Sequence, residues 1–451
     1  MSAQRIPRRT FLKCSTVAAS SIALGSAQVA HGFPANEKAV LGVIGIRGRG
    51  AALAQGFARE GARIASLCDV DSSLFADRLK AVAALQGKTP ETVKDYRAIL
   101  DDHSVDAVVV ATPDHWHALP TIHACQAGKD VYVEKPVAHN VREGQKMIAA
   151  ARKYERIVQV GTQARSGPYV HKAVDYIRSG KLGEVRFVKV FNMKSWPSPK
   201  PTPDEPAPAG LDFDRWLGAA PQRAYNRNRH NAWNLYWDYS GGDIVNDAPH
   251  QMDIARLLIG REYPRSVIAK GGKYFPGDQD VPDTQVVTYD FDGLIMTLEL
   301  TLWTPYMDKI AQDVREGDLF PYWPQCATRV EVYGTKGVMY MGRHGGGWQV
   351  FGPARKQSRP GELMAQEYGR VPERPHLQNF LECVRTRQPP NADIREGHLS
   401  TLLCHLGNIS YRLGGRDLKW DAQTESFPGD EEANRLLARS YRQPYAIPDS
   451  V

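Results

Sequence analysis

Residues 107–111 and 131–133 are two short, wholly apolar runs separated by a stretch of helical character. Strands of this kind joined through a helix form a parallel β-α-β unit whose sheet is buried on both faces. The first strand runs out into Thr112-Pro113-Asp114-His115-Trp116-His117, the second into Glu134-Lys135-Pro136. Ligands of open α/β sheets bind beyond the carboxyl ends of the strands. Two clusters of titratable side chains are therefore expected to face one crevice.

Upstream, residues 39–46 read AVLGVIGI, a buried strand, and enter a helix through Arg47-Gly48-Arg49-Gly50. Against the dinucleotide pattern G-x-G-x-x-G, Gly45 fills the first place and Gly50 the third. Arg47 stands in the second, with Gly48 one residue later as the flexible position; Gly45, Ile46, Arg47, Gly48 and Gly50 make up the candidate phosphate turn. A second strand, 63–67, ends at Asp69, placed to bond a ribose 2′-hydroxyl. A carboxylate there repels a 2′-phosphate, which favours NAD over NADP. Further strand and helix stretches complete a five-stranded nucleotide-binding sheet by about residue 165, with Gln163 at the end of its last strand.

At 451 residues the chain exceeds one comfortable core, and two domains are expected. Arg8-Arg9 followed by Phe11-Leu12 and a modestly apolar Ser/Ala-rich run reads as a twin-arginine export signal within residues 1–32, giving a periplasmic or otherwise exported protein. The run is shorter than the roughly 20 apolar residues a bilayer span needs, and Lys13 precedes Cys14 where a lipid-anchor signal requires a small residue. No membrane anchor is expected after cleavage. Four of the 57 basic residues fall in that segment, which has no acid, so the rest of the chain is close to neutral and lacks a basic block suited to nucleic acid. The cysteines form no C-x-x-C pair, and no His/Cys spacing suggests a metal.

Beyond 165 the pattern changes. A six-proline stretch, 196–210, reads as an extended surface loop. Residues 284–291 and 294–303 flank Asp292-Gly293, a strong hairpin signal. A second hairpin turns at 334–337. The fold class is α/β: a nucleotide-binding domain at 38–165, then an α/β domain at 166–440 with a large, mostly antiparallel open sheet.

GVIGIRGRG, CDVD, ATPDHWH, VYVEKP, VQVGTQ and GGDIVNDAPHQMD occur in that order. In this the chain resembles the glucose–fructose oxidoreductase / inositol dehydrogenase / MocA family over about residues 38–440. The resemblance implies a Rossmann domain, a second domain whose open sheet mediates homo-oligomers, and a cleft site between them. It matches Lys135 to the lysine between nicotinamide and substrate hydroxyl, Pro113 and His117 to the P-x-x-x-H beside the nicotinamide, and His250 to the acid/base histidine. Thr112, His115 and Glu134 join the cofactor set. The family commonly has an aspartate where Asn246 stands; Asp247, one residue later, would point elsewhere.

Alcohol oxidation needs a hydride acceptor and a proton acceptor, and an imidazole titrating near pH ~6.5 suits the second role. Lys135 and His250 are the candidate catalytic pair. Arg165, Tyr169, Trp237, Tyr239, Asn246 and Asp247 are candidates to line a carbohydrate or polyol site, with Trp233 and Tyr236 as further aromatic choices. The expected activity is hydride transfer on a sugar, polyol or glycoside hydroxyl with tightly held cofactor, because free nicotinamide is scarce outside the cytoplasm. A redox-neutral NAD-dependent glycosidase is the alternative; it needs an additional base, for which Tyr239, Asp247 and His230 are candidates. Arg47 and Asn246 leave a non-catalytic sugar-binding relative as a third reading.

Overall fold

The computed structural model describes residues 38–354, 361–448 and 451; the expected export signal lies outside the described residues. Strands β1 (Val40–Ile44), β2 (Arg63–Cys68), β3 (Glu91–Val93), β4 (Ala107–Val110), β5 (Asp130–Val133) and β6 (Val158–Val160) form one sheet in the order β3-β2-β1-β4-β5-β6. Every pairing is parallel. The two apolar runs are neighbours, β4 and β5, with every residue buried. The expected five strands are joined by a sixth, β3, whose three residues are too few and too exposed to show as an apolar run.

Strand order reverses between β1 and β4, which opens the crevice. Two glycines shape its floor. Gly45 has φ +82°, and a Cβ on it would stand 2.8 Å from the Ala111 carbonyl oxygen. Gly50 sits in the helix Arg49–Arg59, where a Cβ would be only 1.7 Å from the Gly45 carbonyl oxygen. Glycine at 50 is what lets the helix start so close to β1.

The second sheet contains β7 (Val185–Met193), β8 (Ser266–Gly272), β9 (Thr284–Asp290), β10 (Ile295–Thr301), β11 (Arg329–Gly334), β12 (Gly337–Gly342), β13 (Trp348–Phe351), β14 (Leu363–Glu367) and β15 (Leu418–Lys419). Their order is β14-β13-β12-β11-β7-β10-β9-β8-β15, and only β7 with β10 is parallel. The β9–β10 turn takes the left-handed conformation at Asp292 and Gly293, as the sequence Asp-Gly favours. One face buries Val188, Val190, Val287, Met296, Leu298 and Val332 beneath the helices Pro249–Ile259 and Ile394–Arg412. The other leaves Ile268, Val286 and Ile295 exposed.

The chain returns to its first domain near its end, so a boundary at 165 does not separate all contacts. The helix Glu373–Thr386 inserts Phe380 against Phe57 (ring centroids 5.7 Å apart) and Tyr132 (5.8 Å). Truncating such a buried ring costs about 3–5 kcal/mol. The docking also brings Glu373 to the rim of the crevice, beside Arg49. The five described cysteines are all buried and free.

Candidate active site

A cavity of about 740 Å³ runs from the carboxyl ends of β1 and β2, past those of β4 and β5, to the second domain. Gly45, Arg47, Gly48, Asp69, Thr112, Pro113, His117, Glu134, Lys135, Gln163, Asn246 and His250 all line it. Sequence segments separated by more than 200 residues thus meet at one site.

At the β2 end, both Asp69 oxygens accept backbone N–H bonds, Oδ2 from Ile46 (2.8 Å) and Oδ1 from Asp71 (3.0 Å). Burial raises this carboxyl above its ordinary value against those bonds. Arg47 reaches Asp71 at 3.3 Å and the Asn231 side-chain oxygen at 3.0 Å, bridging the two domains at the cavity mouth. Gly48, just before the helix N-terminus, has open space where a Cβ would lie. Glycine at a helix start, facing open space, and a carboxylate at the end of β2 fit the pyrophosphate and ribose of a dinucleotide. Ile46 and Gly50 serve this turn through backbone bonding and packing and do not line the cavity.

At the β5 end, Glu134 is buried and held by Arg49 at 2.7 Å; burial opposes ionisation, yet Arg49 and Lys135 keep its carboxyl below the ordinary value. The following peptide, Lys135-Pro136, is cis. Lys135 Nζ donates to the Asn246 carbonyl oxygen at 2.6 Å, a direct link from the first domain to the second. His117 is fixed by two carbonyls, Pro136 O at 2.6 Å from Nδ1 and Thr112 O at 2.9 Å from Nε2. His250 enters from the helix Pro249–Ile259, and burial, followed by the charges of Arg343 and Lys135, pushes it well below its ordinary value. Neutral at working pH, it can accept a proton.

Three sets of chemistry are therefore assembled: a dinucleotide cradle, an ammonium bridging the domains, and a neutral imidazole. Family models match almost the whole described chain. Residues 39–162 match an "Oxidoreductase family, NAD-binding Rossmann fold", 170–340 a "GFO/IDH/MocA C-terminal domain", and 362–447 an "Oxidoreductase family, C-terminal alpha/beta domain". The chain belongs to the Gfo/Idh/MocA family. Among relatives of this family, it is 27% identical over 270 residues to an uncharacterized oxidoreductase, YrbE, of Bacillus subtilis (strain 168), covering 59% of this chain and 63% of that one. It is 30% identical over 200 residues to the glycosyl hydrolase family 109 protein 2 of Shewanella sp. (strain ANA-3), covering 40% and 44%. Both matches span less than two thirds of the relative's own length. A solved levoglucosan dehydrogenase in complex with NADH and levoglucosan shares the fold with TM-score 0.62 at 19% identity, over 85% of this chain and 99% of that one.

Several sequence candidates lie outside the cavity wall. His115 turns away, its Nε2 on the Trp216 carbonyl (3.0 Å), and burial with Arg439 pushes it down to about 3. Arg165 is buried in an ion pair with Asp253 at 2.8 Å. Tyr169 and Tyr239 are core rings, the latter packed 4.9 Å from Trp216. Trp237 donates Nε1–H to the Asp280 carbonyl, and the Tyr236 hydroxyl bonds Asp278. Asp247, as its position after Asn246 suggested, points elsewhere: Lys194 (2.6 Å) and Arg343 (2.7 Å) take its two oxygens. Burial opposes its charge, but those two cations hold it well below the ordinary carboxylate range. Trp233 and His230 do line the cavity, with His230 near Arg47.

Sequence reasoning missed several wall residues. Asp114, in the titratable cluster expected at the crevice, accepts from Ser240 and Asn246, whereas Arg315, from the short helix Gln312–Glu316, and Arg343 and His344, from the turn after β12, were not candidates. The signal for the last two was Arg343-His344 before three glycines, all with positive φ, where a backbone that only glycine adopts readily turns beside the site.

Proposed function

We propose that this protein oxidises a secondary hydroxyl of a carbohydrate or polyol, with NAD held in the first domain. The observation that carries the reading is the meeting of Lys135, bonded to the Asn246 carbonyl, with a neutral His250 beyond a dinucleotide cradle. NAD, when bound, supplies the hydride acceptor. Lys135 Nζ has donors to spare beyond its 2.6 Å bond and holds the substrate oxygen. His250 takes the hydroxyl proton onto a ring nitrogen. Gly45, Gly48 and Glu134 line the cradle.

The glycosyl hydrolase relative favours a second reading, in which the same oxidation acidifies a neighbouring C–H, the glycosidic group leaves by elimination, water adds and the hydride is returned. The extra base it needs is not supplied by Tyr239 or Asp247, whose surroundings are closed; of the three candidates, His230 lines the cavity.

Export through Arg8-Arg9 accompanies the proposal and fits folded transport with cofactor already bound. Assembly into a homo-oligomer through the nine-stranded sheet is supported by the exposed Ile268, Val286 and Ile295. The test uses purified chain with no added nicotinamide, a panel of sugars, polyols and chromogenic glycosides, and simultaneous recording of reduced-nicotinamide absorbance and aglycone release. A lasting reduced signal supports the oxidoreductase. Aglycone release over many turnovers without it supports the glycosidase, and neither signal from cofactor-loaded protein sinks both.

A further inference from the structure

Charges on the second domain's side of the cavity do not balance. Arg315, Arg343 and His344 line it together with Lys135 and His250. Asp114, across the cleft, faces Lys135. On the second domain's side the nearest acids are Asp243 and Asp247, and Lys194 already bridges them, at 2.9 and 2.6 Å. Arg343 uses the remaining Asp247 oxygen at 2.7 Å. Arg315 is left with a carbonyl: its Nε donates to Ile310 O at 2.6 Å, and no carboxylate pairs with it among the described residues. Lys309, behind the wall and 5.9 Å from the Trp196 ring, draws on the same two acids, Asp247 and Asp243. Lys135, on the facing wall, likewise meets a carbonyl.

We infer that the substrate carries a carboxylate, as a uronic or aldonic acid does, held by Arg315 with Arg343. The inference rests on the oxidoreductase reading for which bond reacts, and on the cavity alone for what binds. A guanidinium presents a planar fork that a carboxylate matches with two parallel bonds. A neutral sugar would leave the half-buried Arg315 uncompensated. The proton chemistry agrees. Burial and Arg343 lower Arg315, and burial with Arg343 and Lys135 suppresses His250. A bound anion offsets those cations and lifts His250 back toward the range where a base works well.

The test compares matched pairs on the full, cofactor-loaded chain: glucuronate against glucose, galacturonate against galactose, gluconate against glucitol. Tryptophan fluorescence gives affinity at low and high salt, and reduced-nicotinamide absorbance is read in the same samples. At least one acid is expected to bind about 10-fold or more tightly than its neutral partner, as a charge-assisted bidentate pair provides. The advantage of the acid over its neutral partner should shrink with salt and vanish in Arg315→Met, the acid losing more affinity than the neutral sugar; Arg315→Lys should keep part of it. Equal binding within every pair, or an acid preference untouched in Arg315→Met, overturns the inference. An Arg315-dependent acid preference with no nicotinamide reduction sustains the carboxylate site and overturns the oxidoreductase reading instead.

Discussion

Asn246 Nδ2 donates to Asp114 Oδ1 over 3.2 Å, joining the second domain to the Pro-Asp-His turn of the first. Asp114 is buried, and its other oxygen takes the Ser240 hydroxyl at 2.5 Å. The Asn246 carbonyl in turn accepts from Lys135. The carboxylate that the family resemblance led us to expect at position 246 is thus supplied from across the cleft, and Asn246 is its amide partner.

That pairing gives an asymmetric prediction. Asn246→Asp restores the residue type common in the family, but sets a second carboxylate roughly 3 Å from a buried one, where both cannot ionise. It should lower turnover at pH 7 by on the order of 10²-fold and reduce stability by about 1–3 kcal/mol, because the amide donor is lost and one of the two carboxyls must be held protonated at pH 7. Asp114→Asn keeps a polar contact and should lower kcat about 10-fold with little change in KM, since it acts by positioning Lys135. Steady-state kinetics and thermal unfolding of both variants check this; an Asn246→Asp enzyme faster than the parent would show that the pair does not position Lys135.

The histidines set the pH response. Burial first, then Arg343 and Lys135, hold His250 well below the ordinary ~6.5, so the free enzyme should show no ionisation near that pH in kcat/KM and its acid limb should lie lower. Stability runs the other way. His376 and His405 are pushed down to about 4, chiefly by burial. Unfolded histidine takes up a proton near pH 6.5 that these rings refuse, so stability present at pH 7 is lost as pH falls below ~6.5, by on the order of 1 kcal/mol per ring at pH 5. His376 is satisfied when neutral, Nε2 donating to Val160 O and Nδ1 accepting from Ser166. His376→Gln should be less stable at pH 7 but lose less between pH 7 and pH 5 in thermal melts.

The nucleotide half of this site was legible because its determinants are local. Apolar runs give β4 and β5, glycines at 45, 48 and 50 give the turn, and Glu134-Lys135-Pro136 follows a buried strand directly. The substrate half was legible at Asn246 and His250 by resemblance, and at Trp233 and His230 by residue type. Aromatic residues chosen by type went mostly to the core, where Tyr169, Tyr236 and Tyr239 are buried. Arg343 and His344 sit in a glycine-rich turn with no period to read, and Asp114 acquires its meaning from Asn246, 132 residues away in sequence. Contacts that depend on the docking of two domains leave no local pattern.

Cofactor choice should turn on Asp69. Both of its oxygens are oriented by backbone N–H groups, which fixes a carboxylate at the end of β2. A 2′-phosphate placed there meets a like charge at close range, a penalty of about 1–3 kcal/mol at the dielectric of a partly open site, or roughly 10–100-fold in affinity. Asp69→Ser should weaken NAD, strengthen NADP and shift their ratio by about that factor. Fluorescence titration of cofactor-stripped protein measures it, and an unchanged ratio would place Asp69 away from the ribose.

Arg165, a candidate for sugar contact by sequence, should behave as a structural residue. Its Nε lies 2.8 and 2.9 Å from the two oxygens of Asp253, and its Nη2 is 3.0 Å from Glu396. Asp253 is fully buried and also accepts from Ser400 at 2.7 Å. Removing one member of such a pair strands the other charge in the interior and costs about 3–5 kcal/mol, whereas replacing both removes the stranded charge. Arg165→Met should therefore lower the urea midpoint strongly while KM for any accepted substrate stays near that of the parent. Arg165→Met combined with Asp253→Leu should recover part of the loss. A large rise in KM with an unchanged midpoint would instead return Arg165 to the substrate site.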